Sequence, residues 1–164
     1  MPNSKELTGA ELVAAFVGRF CFPKAFLVTG GACTFIVDAL GENEATDYVC
    51  VQQEQAAAMA VDGVWRTTGS VGVTVATSGP GATNLLTGIA CSWFDSIPAI
   101  HIAGQVNQRE SARVLGVSVR QAGFQETDIV SVAAPLTKWA VQVQSVSELA
   151  QTLPRALSIA QSGR

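Results

Sequence analysis

Charge is what this sequence has least of. Only 14% of its 164 residues are Asp, Glu, Lys or Arg, where soluble domains usually carry about a quarter. Hydrophobic residues make up 48%, so part of the outside is expected to be hidden against a partner domain or subunit. The net charge of -3, with no block of Lys or Arg, removes the electrostatic footprint of a nucleic-acid binder. No apolar run approaches the roughly 20 residues of a membrane helix, and the polar start Met-Pro-Asn-Ser-Lys lacks the layout of a signal peptide. Cys21, Cys33, Cys50 and Cys91 form no C-x-x-C pair. Zinc and disulfide frameworks are therefore not expected, and the apolar neighbours of each cysteine predict buried, reduced thiols in a cytoplasmic protein. Internal repeats, low-complexity segments and linkers are missing as well, which leaves one domain with a core large enough to fold unaided.

What is present alternates short apolar runs with helical stretches, the pattern of an α/β protein with a parallel sheet. Thr8-Gly-Ala-Glu11 has the form of a capping box and opens an amphipathic run through Phe20. Strands are expected at 25–29, 47–51, 71–76 and 97–103, with a fifth at 137–143. Helices are expected at 34–40, 54–66, 84–93 and 146–160. Between Gln105 and Phe124 lies a long polar loop, and loops of that length in compact domains usually serve function or move.

Three segments could carry chemistry, and each has a plainer reading. In Val51-Gln-Gln-Glu54-Gln-Ala-Ala-Ala58 a strand gives way to a helix with one carboxylate at the junction. An acid there compensates the helix dipole. Yet Glu54 sits among amides and alanines with no basic residue nearby in sequence, so it could instead share a proton with a ligand nitrogen. In Thr77-Ser-Gly-Pro80-Gly81-Ala-Thr-Asn84 a tight turn joins strand to helix. Its glycines would let backbone approach a ligand, and its helix N-terminus favours anions. No lysine follows, so it is not a P-loop, nor does it match G-x-G-x-x-G. A simple connector is an equal alternative. Gly123-Phe-Gln125-Glu126-Thr-Asp128 could cap a site or merely a helix, and alone it favours the helix. His101 in an apolar strand reads as a satisfied core histidine, Trp65, Trp93 and Trp139 as packing anchors. Arg109, Arg113 and Arg120 read as a solvated loop.

In their order and spacing, these segments resemble one family. From about Thr8 to Arg164 the sequence is similar to the N-terminal, pyrimidine-binding domain of acetolactate synthase and its thiamine-diphosphate-dependent relatives. The resemblance is carried by Thr77-Ser-Gly-Pro-Gly-Ala-Thr-Asn-Leu-Leu-Thr-Gly-Ile-Ala90, Asp95-Ser-Ile-Pro98, Gly104-Gln-Val106, Glu54-Gln-Ala-Ala and Phe124-Gln-Glu126. It implies a three-layer α/β/α fold with a mostly parallel sheet, and an enzyme that decarboxylates and joins 2-oxo acids. Glu54 would hydrogen-bond N1′ of the aminopyrimidine and activate the cofactor. Pro80 and Asn84 would line the pyrimidine pocket, Gly31 would approach the active centre from its Gly-Gly turn, and Gln125 would reach in from the opposing loop. Gln53 stands where the family commonly has histidine, and Val28-Thr29 where Tyr-Pro is more usual; both differences bear on the substrate.

The resemblance also implies what lies elsewhere. The diphosphate and its Mg2+ belong to a separate diphosphate-binding domain with a Gly-Asp-Gly…Asn-Asn motif, contributed by a second subunit of a homodimer or larger assembly. No segment here matches that motif, and no metal ligands are assigned. Residues 1–164 thus read as one pyrimidine-binding domain, with the central and diphosphate-binding domains absent. Such a chain looks truncated and would be inactive alone. Two other readings stay open: a non-catalytic or small-subunit interaction domain, and a stand-alone phosphate or nucleotide binder using the Gly79-Pro80-Gly81 turn.

Overall fold

Four of the five runs expected to form strands pair in one parallel sheet. The computed structural model describes residues 7–163. In it β1 (Lys24–Leu27), β2 (Asp47–Cys50), β3 (Gly72–Ala76) and β4 (Ala99–Ala103) lie in the order β2-β1-β3-β4. Ala25 aligns with Tyr48 on one side and Val73 on the other, and Val73 aligns in turn with Ile100. Every residue of β3 is buried, as a central strand covered on both faces requires.

Helix α1 (Gly9–Phe20) precedes the sheet, and α2 (Thr34–Glu42) joins β1 to β2. Helix α3 (Glu54–Thr68) leads from β2 to β3, on the far side of β1, while α4 (Pro80–Asn84) and α5 (Leu86–Asp95) join β3 to β4. Three more helices follow: α6 (Ala112–Leu115), α7 (Ile129–Ala133) and α8 (Val146–Gln161). The capping box is formed. Glu11 N–H donates to Thr8 Oγ1 at 3.2 Å, and Thr8 N–H donates to Glu11 Oε2 at 2.7 Å.

The sheet has helices on both faces. Helix α1 packs on α2 and α8, and α3 packs on α5. Val13, Val17, Leu40 and Leu153 meet Leu27, Val73, Val75 and Ile100 in one apolar cluster. Ala57, Ala58, Leu85 and Ile89 meet Ala76 in a second. Each Val or Leu so buried contributes about 1.5–3 kcal/mol. Gly88 lets α5 lie close on α3, since a Cβ there would stand 2.4 Å from that of Ala58. The fold is a three-layer α/β/α domain.

The structure corrects several expectations. Residues 137–143 form no strand. A strand exists only beside a ladder partner, and this stretch has none among the described residues. It and β4 instead line an open cavity of about 620 Å³, together with side chains of α5, α7 and α8. The helix expected at 84–93 is α5, and a separate short helix, α4, precedes it from Pro80, whose fixed φ suits a first helical position. The long loop contains α6 and a 3-10 turn, Gln108–Glu110. All four cysteines are free, but only Cys33 is buried; Cys21 is half-buried, and Cys50 and Cys91 are exposed. Cys91 lies on the outer face of α5, where Ile89 and Ser92 turn inward, and Cys50 ends the edge strand β2, where Val49 is exposed too. Trp93 is likewise exposed on α5.

Candidate functional site at the strand switch point

The helices that follow β1 and β3 go to opposite faces of the sheet, so their connecting loops part between the strand ends. Open α/β sheets bind ligands at such a switch point. Here the two loops meet at Thr77. Its Oγ1 accepts the N–H of Ala32 at 3.2 Å. A Cβ on Gly30 would come within 2.5 Å of the Thr77 Cβ, and one on Gly81 within 2.7 Å of its Cγ2. The β1 and β3 loops are thus pressed together at their glycines. Gly31, next in line, is different: it is exposed, and no atom lies within 4 Å of where its Cβ would be.

Glu54 is the first residue of α3, and its N-cap, Gln53, supplies no side-chain bond. The carboxylate lies at the positive end of the helix dipole, only 8% exposed. Asn84, the last residue of α4, donates from Nδ2 to Glu54 Oε2 at 3.0 Å. The carboxylate has only acceptors to offer, which fixes the orientation of the Asn84 amide. A Cβ on Gly81 would stand 3.3 Å from Glu54 Oε1, so this glycine leaves the second oxygen room. Dipole compensation and a site for a polar ligand are therefore not exclusive: the carboxylate does the first with Oε1 still unobstructed by Gly81. Pro80 is exposed at the start of α4.

Gln125 comes from the loop after β4 and is half-buried, with the left-handed φ of 57°. It touches Gly79. That glycine has φ 58° and ψ -120°, a conformation open to glycine alone, and a Cβ on it would fall 2.8 Å from both Cβ and the carbonyl oxygen of Gln125. Of the two glycines around Pro80, Gly79 therefore makes room for the protein's own loop, and Gly81 faces the carboxylate. Glu54, Asn84, Gly81 and Pro80 are brought together, Gln125 borders them through Gly79, and Gly31 is joined to them through Gly30, Ala32 and Thr77.

The surroundings are chemically quiet. Burial pushes up the Cys33 thiol, and the charge of Glu54 adds to that, so the cysteine beneath the Gly-Gly turn stays protonated. His101 Nδ1 pairs with Thr74 Oγ1 at 2.8 Å. Burial holds its pKa down to about 4, which makes it the satisfied sheet histidine that its setting predicts. Arg109, Arg113 and Arg120 are exposed. Asp128 caps α7 by accepting the N–H of Ser131 at 3.1 Å. Among the described residues no three His, Cys, Asp or Glu side chains are placed to hold a metal, and no helix is long and apolar enough to cross a membrane. Thr77, the hub of the crevice, has no assigned role in the sequence reading. Its signal is position: it opens the run that ends at Asn84.

A buried acid bonded to an amide at a switch point defines a cofactor- or ligand-binding α/β domain. Residues 7–132 match the family described as thiamine pyrophosphate enzyme, N-terminal TPP binding domain, and the chain belongs to that family. It is 40% identical over 158 residues to acetolactate synthase isozyme 3 large subunit from Escherichia coli, covering 96% of this chain and 26% of that protein. With acetolactate synthase isozyme 2 large subunit of the same organism the identity is 44%, covering 96% of this chain and 27% of the relative. With acetolactate synthase large subunit from Lactococcus lactis it is 33%, covering 98% and 26%. The chain thus spans about a quarter of the length of these curated relatives.

Proposed function

We propose that this chain is the pyrimidine-binding half of a thiamine-diphosphate enzyme that decarboxylates a 2-oxo acid and joins the remaining acyl unit to a second carbonyl compound. The observation that carries the proposal is buried Glu54, held by Asn84 from the exposed end of α4 and left room by Gly81 at the switch point. The donor set fits an aminopyrimidine, whose ring nitrogen N1′ can share a proton with a buried carboxyl group. When bound, the cofactor supplies the electron sink for breaking the bond beside the substrate carbonyl.

The chain's own residues hold and orient. Glu54 Oε1, on the side cleared by Gly81, shares a proton with the ring nitrogen. Asn84 keeps the carboxyl group turned toward that position, and the burial of Glu54 strengthens the bond. Pro80 and Gly31 contact the cofactor from the two loops that Thr77 joins, and Gln125 closes the far side. The diphosphate and Mg2+ are held by a diphosphate-binding domain of a second subunit, in a cytoplasmic homodimer or larger assembly. This chain alone therefore binds half a cofactor and turns nothing over.

The test is Glu54→Gln in the full-length protein that contains this domain. Losing the shared proton is expected to slow exchange of the cofactor C2 proton, followed by NMR, at least about 10²-fold. Exchange at the wild-type rate, with cofactor bound, sinks the assignment.

A further inference from the structure

In the connection between β4 and α7, Glu126 is a carboxylate that no part of the pocket uses directly. Glu126 Oε1 accepts the N–H of Ala112 at 2.9 Å, and Oε2 accepts those of Ala112, Ala122 and Gly123 at 3.1, 3.2 and 3.2 Å. The donors come from two places: the first residue of α6, and the two residues that lead into the Gln125 turn. Burial alone would raise the pKa of Glu126, but the three N–H groups outweigh it and hold the carboxyl below its ordinary value. The turn itself is closed by Glu126 N–H donating to the Gly123 carbonyl at 3.1 Å. Gly123 in turn packs on Val106, where its Cβ would fall 2.8 Å from that of the valine. One side chain therefore gathers both halves of a long connection.

What it holds is the residue touching the pocket wall. Gln125, next to Glu126, is the one with a left-handed backbone, and its Cβ and carbonyl oxygen rest on Gly79. Two residues on, Gly81 faces Glu54 Oε1, and five residues on, Asn84 bonds Oε2. We propose that Glu126 is a positioning residue for the pyrimidine pocket: by gathering the N–H groups of Ala112, Ala122 and Gly123 it seats Gln125 on Gly79 and so sets the 79–84 turn over Glu54. The purpose of the pocket rests on the thiamine-diphosphate reading; the chain of contacts does not.

The proposal can be tested on the isotope-labelled chain by NMR without cofactor. Glu126→Gln is expected to speed amide exchange at Ala112 and Ala122 at least about tenfold. It is also expected to shift the amide signals of Gly79 and Gly81 and the side-chain NH2 signal of Asn84. Glu126→Asp, which keeps the charge on a shorter arm, should restore part of each change. Ser145→Ala, which removes the N-cap of α8, lowers stability away from the site and serves as control. If Ala112 and Ala122 open while Gly79, Gly81 and Asn84 move no more than in the control, Glu126 only staples its loop and the proposal falls. Should Glu126→Gln fail to fold, Gln125→Gly withdraws the Cβ from Gly79 and leaves Glu126 in place. Unmoved Gly81 and Asn84 signals in that variant overturn the proposal equally. A full-length protein that binds no thiamine diphosphate would defeat the functional reading and leave all these signals as they are.

Discussion

Gly79 and Gly31 look alike in the sequence and should respond oppositely to the same substitution. Gly79→Ala puts a side chain where φ is 58° and ψ is -120°, with its Cβ 2.8 Å from the Gln125 Cβ and carbonyl oxygen. Backbone strain of this kind costs on the order of 1–3 kcal/mol, and forcing an extra methyl group into a filled space about 1–3 kcal/mol more. The loop can give way a little, so a loss of about 2–5 kcal/mol is expected. With a urea slope of about 2 kcal/mol/M, the unfolding midpoint should fall by roughly 1–2.5 M. Gly31→Ala meets open space at a backbone that is not left-handed. It should leave the midpoint unchanged or raise stability by about 0.4–1 kcal/mol, by narrowing the unfolded ensemble. In the full-length protein, however, the same Gly31→Ala is expected to weaken thiamine diphosphate binding, because the space it fills is where the proposed cofactor contact lies. Equilibrium urea unfolding followed by fluorescence measures the first pair, and calorimetric titration measures the last. A Gly79→Ala midpoint within about 0.3 M of wild type would refute the packing argument.

Two further outcomes follow from titratable groups. His101 is held neutral, with its pKa lowered from 6.5 to about 4 by burial. The unfolded chain binds that proton more readily, so stability should fall as pH drops from about 6.5 toward 4. His101→Gln, which retains a partner for Thr74, should flatten that part of the pH–stability curve; an unchanged slope would show that His101 is solvated. With Ellman's reagent, Cys50 and Cys91 should react at once. Cys33, buried, and Cys21, whose thiol is pushed up to about 12 by burial, should react only on unfolding. Four equally fast thiols would contradict the packing of α1 and of the Gly-Gly turn.

The sheet was largely legible because buried parallel strands are short apolar runs between turn residues, and four such runs were there to find. The site was legible only in part. Glu54 marks itself as an acid at a strand–helix junction, but its partner Asn84 is 30 residues away. The two meet only because α3 and α5 pack through Ala58 and Gly88, a fact of tertiary structure. Gly79-Pro80-Gly81 reads as a turn, and the two glycines cannot be told apart by type, although one seats Gln125 and the other faces the carboxylate. Residues 137–143 misled for a related reason. Thr, Val and Trp at alternating positions suit a strand, but pairing depends on a neighbour that local sequence does not name. Cys91 was misplaced because its apolar neighbours in sequence lie on the opposite face of α5, and Cys50 because β2 is an edge strand with no buried residue.

The fate of that unmade fifth strand matters at the bench. Gly104 N–H donates to Ala76, so by alternation the backbone groups of Ala99, His101 and Ala103 point away from β3. Among the described residues they meet no fifth strand, and β4 lines an apolar cavity of about 620 Å³ together with residues 137–143 and α8. Proteins blunt such edges with lysine, proline or a bulge, or cover them with a helix or loop; Ala-Ile-His-Ile-Ala has none of the first three and depends on the cover of residues 137–143 and α8. Loosening of that cover would bare a strand able to lengthen the sheet at the expense of solubility.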